Sequence, residues 1–142
     1  MNTVAIVYWS GTGNTQAMAE EAAIGAQTAG ATVTVFTAAD FSAARLDEFD
    51  AIGFGCPSMG AEVLEESEFE PLFAGCEPRL AGKKIALFGS YGWGDGEWMR
   101  NWSERCKAAG AALVTESVIA NDAPDGDARA ACKALGKALA GA

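Results

Sequence analysis

The chain contains no histidine. That absence removes the commonest general base and metal ligand, so hydrolases built on a Ser–His–Asp triad and His-ligated metalloenzymes are excluded. Its four cysteines (Cys56, Cys76, Cys106 and Cys132) are widely separated with no Cys-x-x-Cys pair, so no zinc site is expected and they read as reduced, mostly buried thiols. Basic residues are scarce: 10 Lys and Arg against 19 Asp and Glu leave a net charge of −9. Nucleic acids and anionic membranes are bound through basic patches that displace counterions, so neither is an expected partner. The acidity favours a partner with a basic surface, although charge that merely keeps a small protein soluble would look the same. The apolar run from Val4 is too short for a signal peptide or a membrane span, and the first residues lack a basic start, so a cytoplasmic location is expected. What remains is chemistry supplied by a cofactor.

Half of the 142 residues are apolar, enough to build a core, and no repeat, low-complexity tract or linker divides them. A single domain over residues 1–142 is expected. Strand and helix signals alternate along it. Apolar or β-branched runs predict strands at Val4 to Val7, Thr32 to Phe36, Ala51 to Gly55, Lys84 to Phe88 and Ala112 to Ala120, the last longer and possibly interrupted. Ala19, Ala22, Ala23 and Ala26 recur at helical spacing in a first helix ended by Gly30. A short helical crossover spans Asp40 to Glu48, and Ser67-x-x-Glu70 resembles a capping box for a helix running to about Ala74. Trp98, Trp102, Cys106 and Ala109 mark one face of a helix stopped by Gly110, and Ala128, Ala131, Cys132, Leu135 and Leu139 form the stripe of a closing helix. Such βα units imply an α/β fold, a doubly wound five-stranded parallel sheet with helices on both faces. With strand order 2-1-3-4-5, the ligand crevice opens at the carboxyl ends of strands 1 and 3.

Three loops at such strand ends carry the functional signal. The first is Trp9-Ser10-Gly11-Thr12-Gly13-Asn14-Thr15, set directly between a strand and a helix. Its glycines let the backbone curl until several N–H groups point inward, and the hydroxyls of Ser10, Thr12 and Thr15 with the Asn14 amide add donors. No Lys or Arg lies in it, which excludes a Walker loop and suits one enclosed terminal phosphate. The Rossmann fingerprint would need a third glycine where Gln16 stands. Strand 3 runs into Pro57-Ser58-Met59-Gly60-Ala61-Glu62, where Met59-Gly60 suggests a turn that glycine leaves free to rotate. Strand 4 ends in Ser90-Tyr91-Gly92-Trp93-Gly94-Asp95, whose glycines around one tryptophan suit the positioning of a flat ring rather than core packing. Trp98 and Trp102 are expected in the core, and Trp9 suits either role.

These segments, in this order over essentially the whole chain, resemble the flavodoxins, whose phosphate-loop pattern Ser/Thr-x-Thr-Gly-Asn-Thr is met by Ser10, Thr12, Gly13, Asn14 and Thr15. The similarity is to the short-chain, clostridial type, without the inserted loop in strand 5. The resemblance implies noncovalently bound FMN, a flavodoxin-like fold and a low-potential one-electron carrier, not an enzyme, shuttling between semiquinone and hydroquinone. It further implies that Met59 packs on one flavin face and Trp93 on the other, that Glu62 accepts from flavin N3–H, that amides near Gly92 donate to the pyrimidine edge, and that Ser90 lies near the ribityl phosphate. The Met59-Gly60 peptide is implied to turn its carbonyl toward flavin N5 on reduction, with Ala61 standing where some relatives carry an acidic or amide residue. Implied partners are reductases and other redox enzymes with basic docking faces, met by a monomer.

Overall fold

A computed structural model describes residues 2–142. Its strands are β1 (Thr3–Tyr8), β2 (Thr32–Thr37), β3 (Ala51–Gly55), β4 (Lys84–Tyr91), β5 (Ala112–Leu113) and β6 (Val118–Asn121), and its helices are α1 (Asn14–Thr28), α2 (Phe69–Cys76), α3 (Glu97–Ala108) and α4 (Gly126–Ala140). The sheet is wholly parallel in the order β2-β1-β3-β4-β5, and β6 also pairs with β4. The predicted fifth strand is therefore one position in the sheet filled by two short pieces. Ile85 pairs with Leu113 and Phe88 with Val118, so two residues of β4 face four of the opposing chain, which leaves the ladder between them.

Alternation along the central strands assigns each side chain to a layer. Ala5, Val7, Ile52, Phe54, Ile85 and Leu87 pack toward α2 and α3 in an aromatic-rich core with Phe69, Phe73, Trp98 and Trp102. Val4, Ile6, Ala51, Ala86 and Phe88 pack on the opposite face beneath α1 and α4. Each fully buried Val, Ile, Leu or Phe among these contributes about 1.5–3 kcal/mol. The two helices of the second layer pack backbone to backbone: a Cβ on Gly25 would overlap the Lys133 carbonyl, and one on Gly136 would overlap that of Ala22. The first helix's alanine face thus meets a neighbouring helix as well as the sheet.

Two local expectations change. The crossover after β2 forms 3-10 turns at Ala38–Asp40 and Ala43–Glu48, because Phe41, Leu46 and Phe49 leave the helical repeat to pack in the core. Ser67 does not cap α2. The buried Glu65 carboxylate does, accepting the backbone N–H groups of Ser67, Glu68 and Phe69 at 2.8, 2.8 and 2.9 Å. Pro71 falls in the first turn of α2, as its missing N–H requires.

Candidate functional site

The loop joining β1 to α1 is held by its own side chains and by both neighbours. Trp9 N–H donates to the Gly55 carbonyl at 3.0 Å. Ser10 Oγ accepts from Gly13 N–H at 3.1 Å, and Thr12 Oγ1 accepts from Asn14 N–H at 3.4 Å. The Trp9 ring lies over Gly11, whose Cβ would come within 3.0 Å of it, and its Nε1–H donates to Glu68 at 3.1 Å. Trp9 thus fastens the loop to the segment capping α2. Thr15 lies beneath the loop, buried, with its hydroxyl 3.1 Å from that of Ser90 and accepting from Ser90 N–H at 3.3 Å.

After β3 the chain folds back on itself: Met59 and Val63 exchange both backbone hydrogen bonds, at 2.8 and 3.0 Å, around Gly60, Ala61 and Glu62. Gly60 has φ 50° and Glu62 φ 56°, a left-handed conformation that costs a non-glycine residue about 1 kcal/mol. The Glu62 side chain turns toward the loop after β4. There its Oε1 is buried without a hydrogen-bond partner, against Gly94 at φ 88°, where a Cβ would collide with it. Trp93, one residue earlier, is 63% exposed, the most exposed large apolar side chain among the described residues. Met59 is also exposed, whereas Trp98 and Trp102 are buried in the core.

A cleft of about 210 Å³ joins the loops. The first loop contributes Trp9, Gly11, Thr12 and Asn14; the second Pro57, Ser58 and Met59; the third Ser90, Tyr91 and Gly92. Ser10, Gly13 and Thr15 support the first wall, and Gly60, Ala61, Glu62, Trp93 and Gly94 lie on the same two outer loops without lining the cleft itself. Asp95 faces elsewhere, paired with Arg100 at 3.0 Å, and lines a larger cavity of about 530 Å³ between α3 and the interrupted strand. The larger cavity lies away from the ends of β1 and β3. Asp122 completes the cleft and was missed by the sequence reading; its signal was its position just past β6, where its N–H donates to the Tyr91 carbonyl at 2.8 Å. No lysine or arginine lines the cleft. Behind it, burial alone pushes the Glu65 carboxyl up, but the amide donors of Phe69, Glu68 and Ser67 outweigh that and hold it below the usual carboxylate range.

The flavodoxin family model matches residues 6–135. The chain belongs to the flavodoxin family. Flavodoxins are electron carriers with FMN as cofactor, and this chain is an electron carrier of that family. The flavodoxin of Megasphaera elsdenii is 47% identical over 137 residues, spanning 96% of this chain and 98% of that protein. The flavodoxin of Clostridium beijerinckii is 47% identical over 135 residues, spanning 95% and 97%. The solution structure of two-electron reduced M. elsdenii flavodoxin superposes with a TM-score of 0.90 at 47% identity, covering 98% of this chain and 99% of that one. Together these identify the short-chain type. Among the described residues, no helix is long and apolar enough to cross a membrane.

Proposed function

We propose that FMN binds in the cleft between the three loops and exchanges one electron per encounter with redox proteins that present basic surfaces. The observation that carries this reading is the buried, unpartnered Glu62 Oε1 beside Gly94, an acceptor left for a ring N–H of the cofactor. The exposed Trp93 supports it, because a tryptophan 63% in solvent amid glycines gains nothing from packing within the chain. The cationless first loop supports it too, since one terminal phosphate is satisfied by amides, hydroxyls and a helix N-terminus.

The residues that would hold the cofactor divide by chemistry. Ser10 to Thr15 donate hydrogen bonds to the phosphate, with Thr15 and Ser90 holding each other in place beneath it. Met59 and Trp93 supply apolar faces for the ring. Glu62 accepts, and the backbone from Tyr91 through Gly94 donates, at the polar edge. Pro57, Ser58, Gly60 and Ala61 shape the turn beside it, and Glu62 and Asp122 add negative charge, whereas the Asp95 carboxylate is paired with Arg100. FMN when bound supplies the redox chemistry. The chain orients the ring, excludes water from one side, and makes added negative charge costly: like charges ~4 Å apart repel by about 4 kcal/mol at an effective dielectric of about 20.

On this reading the protein works as a single-domain monomer in the cytoplasm, and turns over no substrate of its own. The net charge of −9 draws it to basic partner faces and away from nucleic acid and anionic membranes. Stepwise anaerobic reduction of the purified protein, after its visible spectrum is recorded, tests this. Stoichiometric FMN taking up electrons in two separated steps is expected, without turnover of NAD(P)H and a quinone. A single two-electron step would indicate a reductase instead, and a protein that takes up no FMN would sink the reading.

A further inference from the structure

Cys56 is the residue from which the loop after β3 departs, and it is held at every polar atom. Its backbone N–H donates to the Phe88 carbonyl at 3.1 Å, and its carbonyl accepts the Trp98 indole N–H at 3.2 Å. Its Sγ accepts Glu65 N–H at 3.3 Å and donates to the Pro57 carbonyl at 3.5 Å. Gly89 is required opposite, because a Cβ there would overlap the Cys56 carbonyl. The thiol is completely buried, and burial pushes its pKa up to about 12, so it stays protonated and acts as a donor and acceptor rather than a nucleophile.

The contact with Glu65 joins the two ends of the loop. Pro57 to Leu64 leaves at Cys56 and returns at Glu65, whose carboxylate begins α2 through three backbone N–H groups. The outgoing half is tied to β4 by Ser58 N–H on the Ser90 carbonyl at 3.0 Å. The returning half has the Met59–Val63 pair at mid-height and the thiol at its base. A serine hydroxyl would sit on a shorter bond and lose more hydration on burial.

We propose that Cys56 is a positioning residue: its thiol clasps the base of the loop, holding Gly60 to Glu62 in the turn that presents Glu62 to the cofactor. This rests on the reading that the turn faces FMN. The test compares Cys56→Ala, Cys56→Ser and Cys132→Ala, the last removing a buried thiol that forms no side-chain hydrogen bond among the described residues and packs in the opposite layer. If Cys56→Ala does not fold, Cys56→Val replaces it, refilling the volume without donor or acceptor.

Amide hydrogen exchange of the flavin-free proteins is read first. Roughly tenfold faster exchange at Glu65, Met59 and Val63 in Cys56→Ala, partly restored by serine and absent in Cys132→Ala, supports the clasp. Rates equal to wild type, or the same acceleration in Cys132→Ala, overturn it. The one-electron potentials of the FMN-loaded variants are read second. A changed gap between the two potentials in Cys56→Ala supports transmission of the clasp to the cofactor. A lost clasp with unchanged potentials would leave the thiol's hold on the loop standing and overturn the placement of the turn at the flavin.

Discussion

The hydroxyls of Thr15 and Ser90 lie 3.1 Å apart in the interior, joining the first turn of α1 to the carboxyl end of β4 across 75 positions of sequence. Thr15 Oγ1 also accepts Ser90 N–H at 3.3 Å. Thr15→Val keeps the volume and removes both bonds, leaving buried groups of Ser90 unpaired. Flavin-free protein should lose about 1–3 kcal/mol in urea unfolding, with FMN affinity falling in parallel. A variant as stable as wild type would show that the pair is incidental.

Gly94 and Glu62 are sterically coupled. A methyl group on Gly94 would displace the Glu62 carboxylate and also strain a backbone at φ 88°. Gly94→Ala should weaken FMN binding at least tenfold, about 1.4 kcal/mol. In the Glu62→Ala background the same change should cost less, since only the backbone strain remains. Additive effects in this cycle, measured by fluorescence titration, would refute the coupling.

Glu65 makes stability pH-dependent in one direction. Its folded-state pKa is depressed, so its contribution is present above the ordinary carboxylate value of about 4.3 and is lost as pH falls from there through the lower folded value. Glu65→Gln should cost about 1–3 kcal/mol at neutral pH, because one accepting oxygen becomes a donor facing amide donors. The gap from wild type should close in acid. Denaturant unfolding of the flavin-free pair across pH decides it.

Gly60 has φ 50°, and no heavy atom lies within 4 Å of where its Cβ would stand. A substitution there acts through conformation, not collision. Gly60→Val should add about 1 kcal/mol to the turn and shift one of the two one-electron potentials by tens of millivolts. Potentials matching wild type would remove the turn from redox control.

The net charge of −9 makes encounter with a basic partner sensitive to salt. Raising ionic strength from about 0.01 to about 0.15 M shortens the Debye length from about 30 to about 8 Å, and should slow second-order electron transfer to a basic redox protein. Stopped-flow rates that ignore salt would exclude electrostatic steering.

Much of this architecture was legible from local pattern. Apolar runs separated by glycine-rich loops marked the strands, and the three loops fell at strand ends where a doubly wound sheet opens. What local pattern misjudged was settled by packing. The Ser67-x-x-Glu70 spacing suggested a cap, yet Glu65 serves: its carboxylate accepts the N–H groups of Ser67, Glu68 and Phe69 at the start of α2, while its own N–H donates to the Cys56 thiol. The crossover became 3-10 turns because three apolar side chains needed the core more than the helix needed its repeat.

The sequence by itself determined the alternation of strands and helices and the chemical character of the loops, because periodicity, glycine placement and the absence of histidine and loop cations are properties of residue order alone. The family follows from resemblance to known proteins, and the strand order from the pairing of the sheet. Only the tertiary structure decided that Trp9 reaches Glu68, that Asp122 joins the cleft while Asp95 turns to Arg100, and that Glu62 lies unpaired against Gly94. Those outcomes depend on contacts between segments far apart in the chain, where hydrogen-bond partners are set by which backbones approach each other closely. No spacing rule along one strand or helix encodes that.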